Sequence, residues 1–226
     1  MYFDEYYLYL VVPTIILSLF AQIKVKSTFA KYSNIFCSRK ITGVDAAALL
    51  MRVNNINDVK VEAVRGSLTD HYDPSAKKLR LSEPVYGSTS IAAVGVAAHE
   101  TGHAIQHAVK WGPLVMRSTL VPAANIGSRF GPWLAIAGIF LSFPLLLNIG
   151  IVLFSAAVLF YVITLPVEFD ASSRAIAILR ANNVLSESEL KGVKKVLTAA
   201  ALTYVASALT AIASLLRFIL LSRRRR

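Results

Sequence analysis

The sequence predicts a mainly α-helical, multi-pass membrane protein carrying a small helical domain with a short β-hairpin or sheet outside the bilayer. Three observations lead there. Of 226 residues, 55% are hydrophobic and only 16% charged, against about 25% charged in an average soluble domain. Mean hydropathy is +0.56. Uncharged runs long enough to cross a membrane alternate with charged, turn-punctuated stretches. This composition argues against a disordered chain and against a plain water-soluble domain.

The net charge is +11, from 24 Lys+Arg against 13 Asp+Glu. A basic balance suits nucleic acid or an anionic membrane surface. Most aromatics lie inside apolar runs, which favours the lipid bilayer as partner and argues against nucleic acid. One cysteine, Cys37, rules out an internal disulfide, a thiolate cluster or a Cys-pair redox site. Cys37 is expected to have a packing or interfacial role.

Tyr6 to Ile23 is a run of 18 uncharged residues. At ~1.5 Å per residue it covers about 27 Å, close to the thickness of a hydrocarbon core. Tyr2, Phe3, Tyr6, Tyr7 and Tyr9 crowd one end like an interfacial aromatic belt. Asp4 and Glu5 precede the run and no small-residue cleavage site follows, so it does not read as a signal peptide. Lys24, Lys26, Lys31, Arg39 and Lys40 follow it, which by the positive-inside rule puts residue 24 onward in the cytoplasm.

Residues 24 to 117 read as an extramembrane domain. Val44 to Val53 is a short helix with Thr42 as N-cap. Val59 to Arg65 alternates as a strand does. Ser67 to Tyr72 and Lys78 to Leu81 form a hairpin through Asp73-Pro74-Ser75. A long helix then covers about Ser90 to Val109. Phe130 to Val167 contains 38 uncharged residues, ~57 Å of helix and too long for one span. Two spans, about Ser118–Leu141 and Leu147–Leu165, joined near Asn148-Ile149-Gly150, fit best. Leu165 to Asn182 reads as a further helix with Pro166 in its first turn. Ser186-Glu187-Ser188-Glu189 is a capping box opening another. Val196 to Leu216 is an uncharged run of 21 residues, followed by Arg217 and the tail Arg223 to Arg226, read as a headgroup-binding segment. That helix either spans or lies against the domain and interface.

The chemistry is concentrated in His99-Glu100-Thr101-Gly102-His103, an H-E-x-x-H motif inside an Ala-rich helical run. Histidines four apart lie on one helix face and can share one Zn²⁺ at ~2.0–2.1 Å. Glu100 adjoins the first ligand and is placed to take the proton of a metal-activated water. A catalytic zinc needs a third protein ligand. His107 extends the row, but His99 and His107 are ~12 Å apart along the axis and cannot bind one ion. His107 is expected behind the ligands or simply at the helix end. His71 or a carboxylate remains. Glu168 is the best carboxylate: it follows an apolar span directly and is the first charge after 38 uncharged residues. His99, His103 and Glu168 must share one side of the membrane, so the crossings between His107 and Glu168 must be even. The two-span reading meets that demand.

These residues also carry a family resemblance. V-A-A-H-E-T-G-H-A-I-Q-H (96–107), T-D-H-Y-D-P (69–74), L-R-L-S (79–82), L-P-V-E-F-D-A-S (165–172) and A-L-T-Y-V-A (201–206) resemble the YugP-like neutral zinc metallopeptidases over essentially the whole chain. The resemblance implies a membrane-embedded, gluzincin-type peptidase with one Zn²⁺ per chain. It implies His99, His103 and a later Glu as ligands and Glu100 as acid/base, and no particular substrate; a protein or peptide substrate is expected from the reaction. The site is also similar to that of HtpX-like membrane proteases. Those carry E-x-x-x-D on the third-ligand helix, the Asp supporting a histidine ligand from behind. Here that position is Ser172, and the nearest acid, Asp170, is at i+2 and points to another face.

Other residues have weaker signals. Lys78-Leu79-Arg80-Leu81 is a candidate sheet edge for an extended substrate, or an ordinary hairpin strand. His71 and Tyr72 read as turn supports. Tyr204 and Arg174 are candidates to stabilise an oxyanion, though Tyr204 also suits packing in an Ala-rich helix. The expected organisation is a transmembrane helix (1–23), a zincin-like domain with the H-E-x-x-H helix (24–117), two transmembrane helices (118–165), a third-ligand helix with the one following (166–197), and a C-terminal apolar helix with a basic tail (198–226). The expected function is zinc-dependent peptide-bond hydrolysis at the cytoplasmic face of the cell membrane. The alternative is a non-catalytic zinc-containing membrane scaffold or chaperone-like factor, which would have no need of Glu100.

Overall fold

A computed structural model describes residues 4–224. Tyr2 and Phe3 of the aromatic cluster, and Arg225 and Arg226 of the tail, lie outside the described residues. The chain is mostly helical. A π-helical turn at Tyr7–Val11 leads into α1 (Val12–Ser33). Then follow α2 (Gly43–Val53), β1 (Lys60–Val64), β2 (His71–Asp73), β3 (Lys78–Ser82) and α3 (Glu83–Tyr86). The long helices α4 (Ile91–Ala108), α5 (Gly112–Phe140), α6 (Pro144–Ala181) and α7 (Glu187–Arg224) complete the described chain. Two compact units emerge. One comprises the chain up to Gln22, Val115–Pro166 and the chain from Leu202 on; the other comprises Ile23–Leu114 and Val167–Ala201.

The first unit is built from apolar helical segments. Among the described residues three helices are long and apolar enough to cross a membrane: Tyr7–Ser33, Pro144–Ala181 and Glu187–Arg223. α5 is not among them, because Asn125, Arg129 and the prolines Pro122 and Pro132 dilute its hydropathy. It packs against α6 through small residues. A Cβ on Gly127 would fall 2.1 Å from the Leu153 carbonyl oxygen, one on Gly138 2.3 Å from the Leu147 nitrogen, and one on Gly150 2.4 Å from the Ala135 nitrogen. Backbones approach this closely only where side chains are missing, the usual means of helix association in lipid. α7 runs antiparallel to α1: Arg217 donates to the Asp4 carboxylate (2.6 and 2.9 Å), while Ser18 and Thr210 hydroxyls meet at 3.3 Å. Phe154 and Phe218 pack edge to face at 6.1 Å.

Two expected boundaries move. The break between the central helices falls at Leu141–Phe143, not at Asn148-Ile149-Gly150, which lies inside α6. Ser142 takes the left-handed turn (φ 51°) and Pro144 opens the next helix, whereas Gly150 serves close packing. Nor does Pro166 open a new helix: it sits inside the 38-residue α6. A mid-helix proline costs ~3 kcal/mol. Val167, Ala171, Ala175 and Leu179, one helical row beyond it, are all fully buried, and that apolar burial holds the helix together.

The second unit carries a three-stranded sheet in the order β1-β3-β2, with β1 parallel and β2 antiparallel to β3. β3 is therefore the central strand, not the edge suggested from Lys78–Leu81. The Lys60–Val64 run takes the side of β3 that the hairpin leaves open. Leu79 and Leu81 point into the core at 0% exposure, while Lys78 pairs with Glu62 at 2.8 Å and Arg80 with Asp73 at 2.9 Å. Asp70 accepts from the Ser82 amide and hydroxyl (2.7 and 2.8 Å). Asp73 accepts from the Ser75 and Ala76 amides, both at 3.0 Å, and so shapes the turn. The expected caps form: Thr42 with Asp45, and Ser186 with Glu189. Cys37 is buried in the core of this unit.

Candidate metal centre

α4 begins at Ser90, whose hydroxyl accepts from the Ala93 amide. Its small residues, with Ala93, Ala97 and Thr101 at 0% exposure, let neighbouring elements close on it. Gly102 decides the approach of α6: a Cβ there would sit 2.5 Å from the Ala171 carbonyl oxygen. This near contact sets the H-E-x-x-H face of α4 against residues 167–175 of α6.

Three donors converge as a result. Glu168 Oε2 lies 3.3 Å from His99 Nε2 and 3.5 Å from His103 Nε2. All three ligand atoms are within 4.8 Å of one another. Two ligands on one tetrahedral ion with bonds of ~2.1 Å are separated by about 3.4 Å, so the two Glu–His separations fit a shared metal. The imidazoles stand edge to face at 4.8 Å. Two imidazole nitrogens and a carboxylate oxygen are one of the known donor sets of catalytic zinc.

The opposite edges of the rings are also held. His99 Nδ1 lies 3.1 Å from Ser172 Oγ, and His103 Nδ1 lies 3.0 Å from Gln106 Oε1. Such contacts hold the rings in place and leave Nε2 for a metal. Ser172 thus supplies with a hydroxyl the support for which an acid at that position is the related pattern. Burial opposes charging of His103, but the bond to Glu168 and the charges of Glu100 and Glu168 outweigh it and raise its pKa. The pocket favours positive charge between its donors. Glu100 is buried at 9% exposure.

The other predicted residues divide. His71 is on β2, with Nδ1 2.8 Å from the Thr69 carbonyl oxygen and Nε2 3.2 Å from Arg80; it is not among the converging donors. His107 is at the exposed end of α4, 2.8 Å from the Tyr72 hydroxyl. Asp170 accepts from Gln106 and Arg174, and Arg174 lies over the Trp111 ring at 5.9 Å. Tyr204 is on α7, among the residues of the first unit. Gln106 was not singled out by sequence reasoning, although its i+3 spacing from His103 carries the signal.

The sequence model of the family described as "Putative neutral zinc metallopeptidase" matches residues 7–223. The chain belongs to this family. It is 49% identical over 215 residues to "Putative membrane protease YugP" of Bacillus subtilis (strain 168), covering 95% of this chain and 96% of that relative. No solved structure matches. In this family member the donors come from α4 and α6, two elements that are far apart in sequence.

Proposed function

We propose that this chain is a membrane-embedded zinc peptidase of the gluzincin type, with His99, His103 and Glu168 holding one Zn²⁺ and Glu100 moving the proton. The observation that carries this reading is the convergence of two imidazole Nε2 atoms on the Glu168 carboxylate, beside the buried Glu100. Zinc, when bound, supplies Lewis acidity and a water acidic enough to ionise near neutral pH. The Glu100 carboxylate accepts the proton of the attacking water and later delivers it to the departing amine. Glu168 contributes negative charge and the third donor, and Ser172 and Gln106 keep the histidine rings aimed at it. Arg174 is engaged with Asp170 and Trp111, so we assign it to holding the site, not to the oxyanion. The substrate is a peptide or protein.

The test is Glu100→Gln, assayed for zinc content and peptide hydrolysis beside the wild type. We expect retained zinc and at least ~10²-fold lower turnover, the lower end of general acid–base contributions. Unchanged turnover in the purified variant would overturn the mechanism. Equal inactivity of both proteins, with zinc bound, would favour the non-catalytic scaffold.

A further inference from the structure

Behind His103 lies a chain of buried polar contacts. Gln106 is at 0% exposure. Its amide nitrogen lies 2.8 Å from the Val167 carbonyl oxygen and 2.8 Å from Asp170 Oδ2; its amide oxygen lies 3.0 Å from His103 Nδ1. Asp170 Oδ2 also accepts from Arg174 Nε at 2.6 Å, and that guanidinium lies over Trp111.

A primary amide has two N–H donors and one acceptor oxygen. Both neighbours of the Gln106 nitrogen are acceptors only, so turning the amide over would set oxygen against oxygen twice and leave buried donors unmade. The oxygen must therefore face His103, and His103 must present a proton on Nδ1. In the neutral ring, the form that binds a metal, Nε2 then carries the lone pair, on the side where Glu168 lies.

We infer that Gln106 and Asp170 act as positioning residues: Asp170 fixes the amide of Gln106, and Gln106 fixes the tautomer and rotation of His103 as a metal ligand. Asp170 thus acts on a histidine through an amide, although at i+2 from Glu168 it does not reach the ring itself. Arg174 and Trp111 hold Asp170 in turn. This inference rests on the metal-site reading above but not on peptidase activity.

The test reads Zn²⁺ affinity of the full chain in detergent, by competition with a chromophoric chelator. Gln106→Glu keeps an acceptor for His103 but places a carboxylate against Asp170 and the Val167 carbonyl. It should bind Zn²⁺ about 10–100-fold more weakly, the usual range for groups that orient a ligand. Asp170→Asn added to Gln106→Glu removes the charge repulsion and can turn an amide donor toward residue 106, while Arg174 gives up the oxygen it shares with Gln106 and the Val167 carbonyl stays opposed. The double variant should bind Zn²⁺ at least about threefold more tightly than Gln106→Glu alone, a recovery that a merely structural role for either residue would not produce. Wild-type affinity in Gln106→Glu, or no recovery in the double variant, would overturn the relay. A wild-type chain that binds Zn²⁺ but cleaves no peptide would overturn the peptidase reading and leave the relay standing. A wild-type chain that does not bind Zn²⁺ would overturn the metal site and the relay together.

Discussion

Glu168 carries much of the consequence at the scale of single residues. It is 2% exposed and lies between two imidazoles, so its removal takes away a donor and leaves the histidines without their counter-charge. His71 and His107 are engaged elsewhere, with Arg80 and Tyr72. Glu168→Ala should therefore lose Zn²⁺ on dialysis while His71→Ala and His107→Ala retain it, as read by metal analysis. Emptying of the site by His71→Ala, with Glu168→Ala still loaded, would show that the ligand set is wrong. Much of this was legible in the sequence: spacing alone placed His99 and His103 together and set His107 aside. The supports were not. Ser172 and Gln106 are uncharged, and their meaning depends on which ring each one faces.

At the scale of elements, the site depends on how closely α4 and α6 approach. Gly102 has no side chain to hold them apart, and the atom a Cβ would meet is the backbone oxygen of Ala171, which cannot swing aside. Gly102→Ala should cost about 1–3 kcal/mol, as other overpacking substitutions do. It should lower the thermal midpoint and weaken Zn²⁺ binding together. A stable variant with normal zinc affinity would mean that the helices have room to shift. Gly87, near which a Cβ would meet nothing within 4 Å, is the control. Helix starts were legible wherever a side chain caps them, at Thr42, Ser90 and Ser186. The continuity of α6 through Pro166 was not, because local preference predicts a break there and long-range burial of Val167, Ala171, Ala175 and Leu179 overrides it.

For the whole molecule, the question is how often the chain crosses the bilayer. One ion cannot be shared across a membrane, so the ligand set proposed above requires an even number of crossings between residues 107 and 168. We propose that α5 crosses with the first part of α6 as a hairpin. α5 falls short in hydropathy, but its glycine contacts with α6 are of the membrane kind. The antiparallel contact of α7 with α1, fastened by Asp4 and Arg217, supports a crossing by α7 too, with Arg223 on the side of residue 4. On this proposal 18 Lys and Arg, 13 from Lys24 to Arg117 and 5 from Arg174 to Lys195, lie on the other side from Arg223 and would set the orientation. With Cys37 replaced by Ser, cysteines introduced near residues 60 and 185 should both resist an impermeant thiol reagent in intact cells. Both should react once the membrane is opened, and a cysteine near residue 223 should react from the start. Labelling of only one of the first two in intact cells would exclude Glu168 as a partner of His99 and His103.

The sequence by itself determined the mainly helical class with its long apolar runs, the helix that carries H-E-x-x-H and the pair of histidines on its face. These depend on composition, on hydrophobic run length and on a spacing of four within one helix, all of them local. It also pointed to Glu168 through its place at the end of an apolar run. Only the tertiary structure decided that Glu168 and not His71 meets the histidines, that β3 is central, and that Gln106 and Asp170 stand behind His103. Those outcomes depend on which helices come into contact, and that is set by burial and by the absence of a side chain at Gly102, not by any periodicity along the chain.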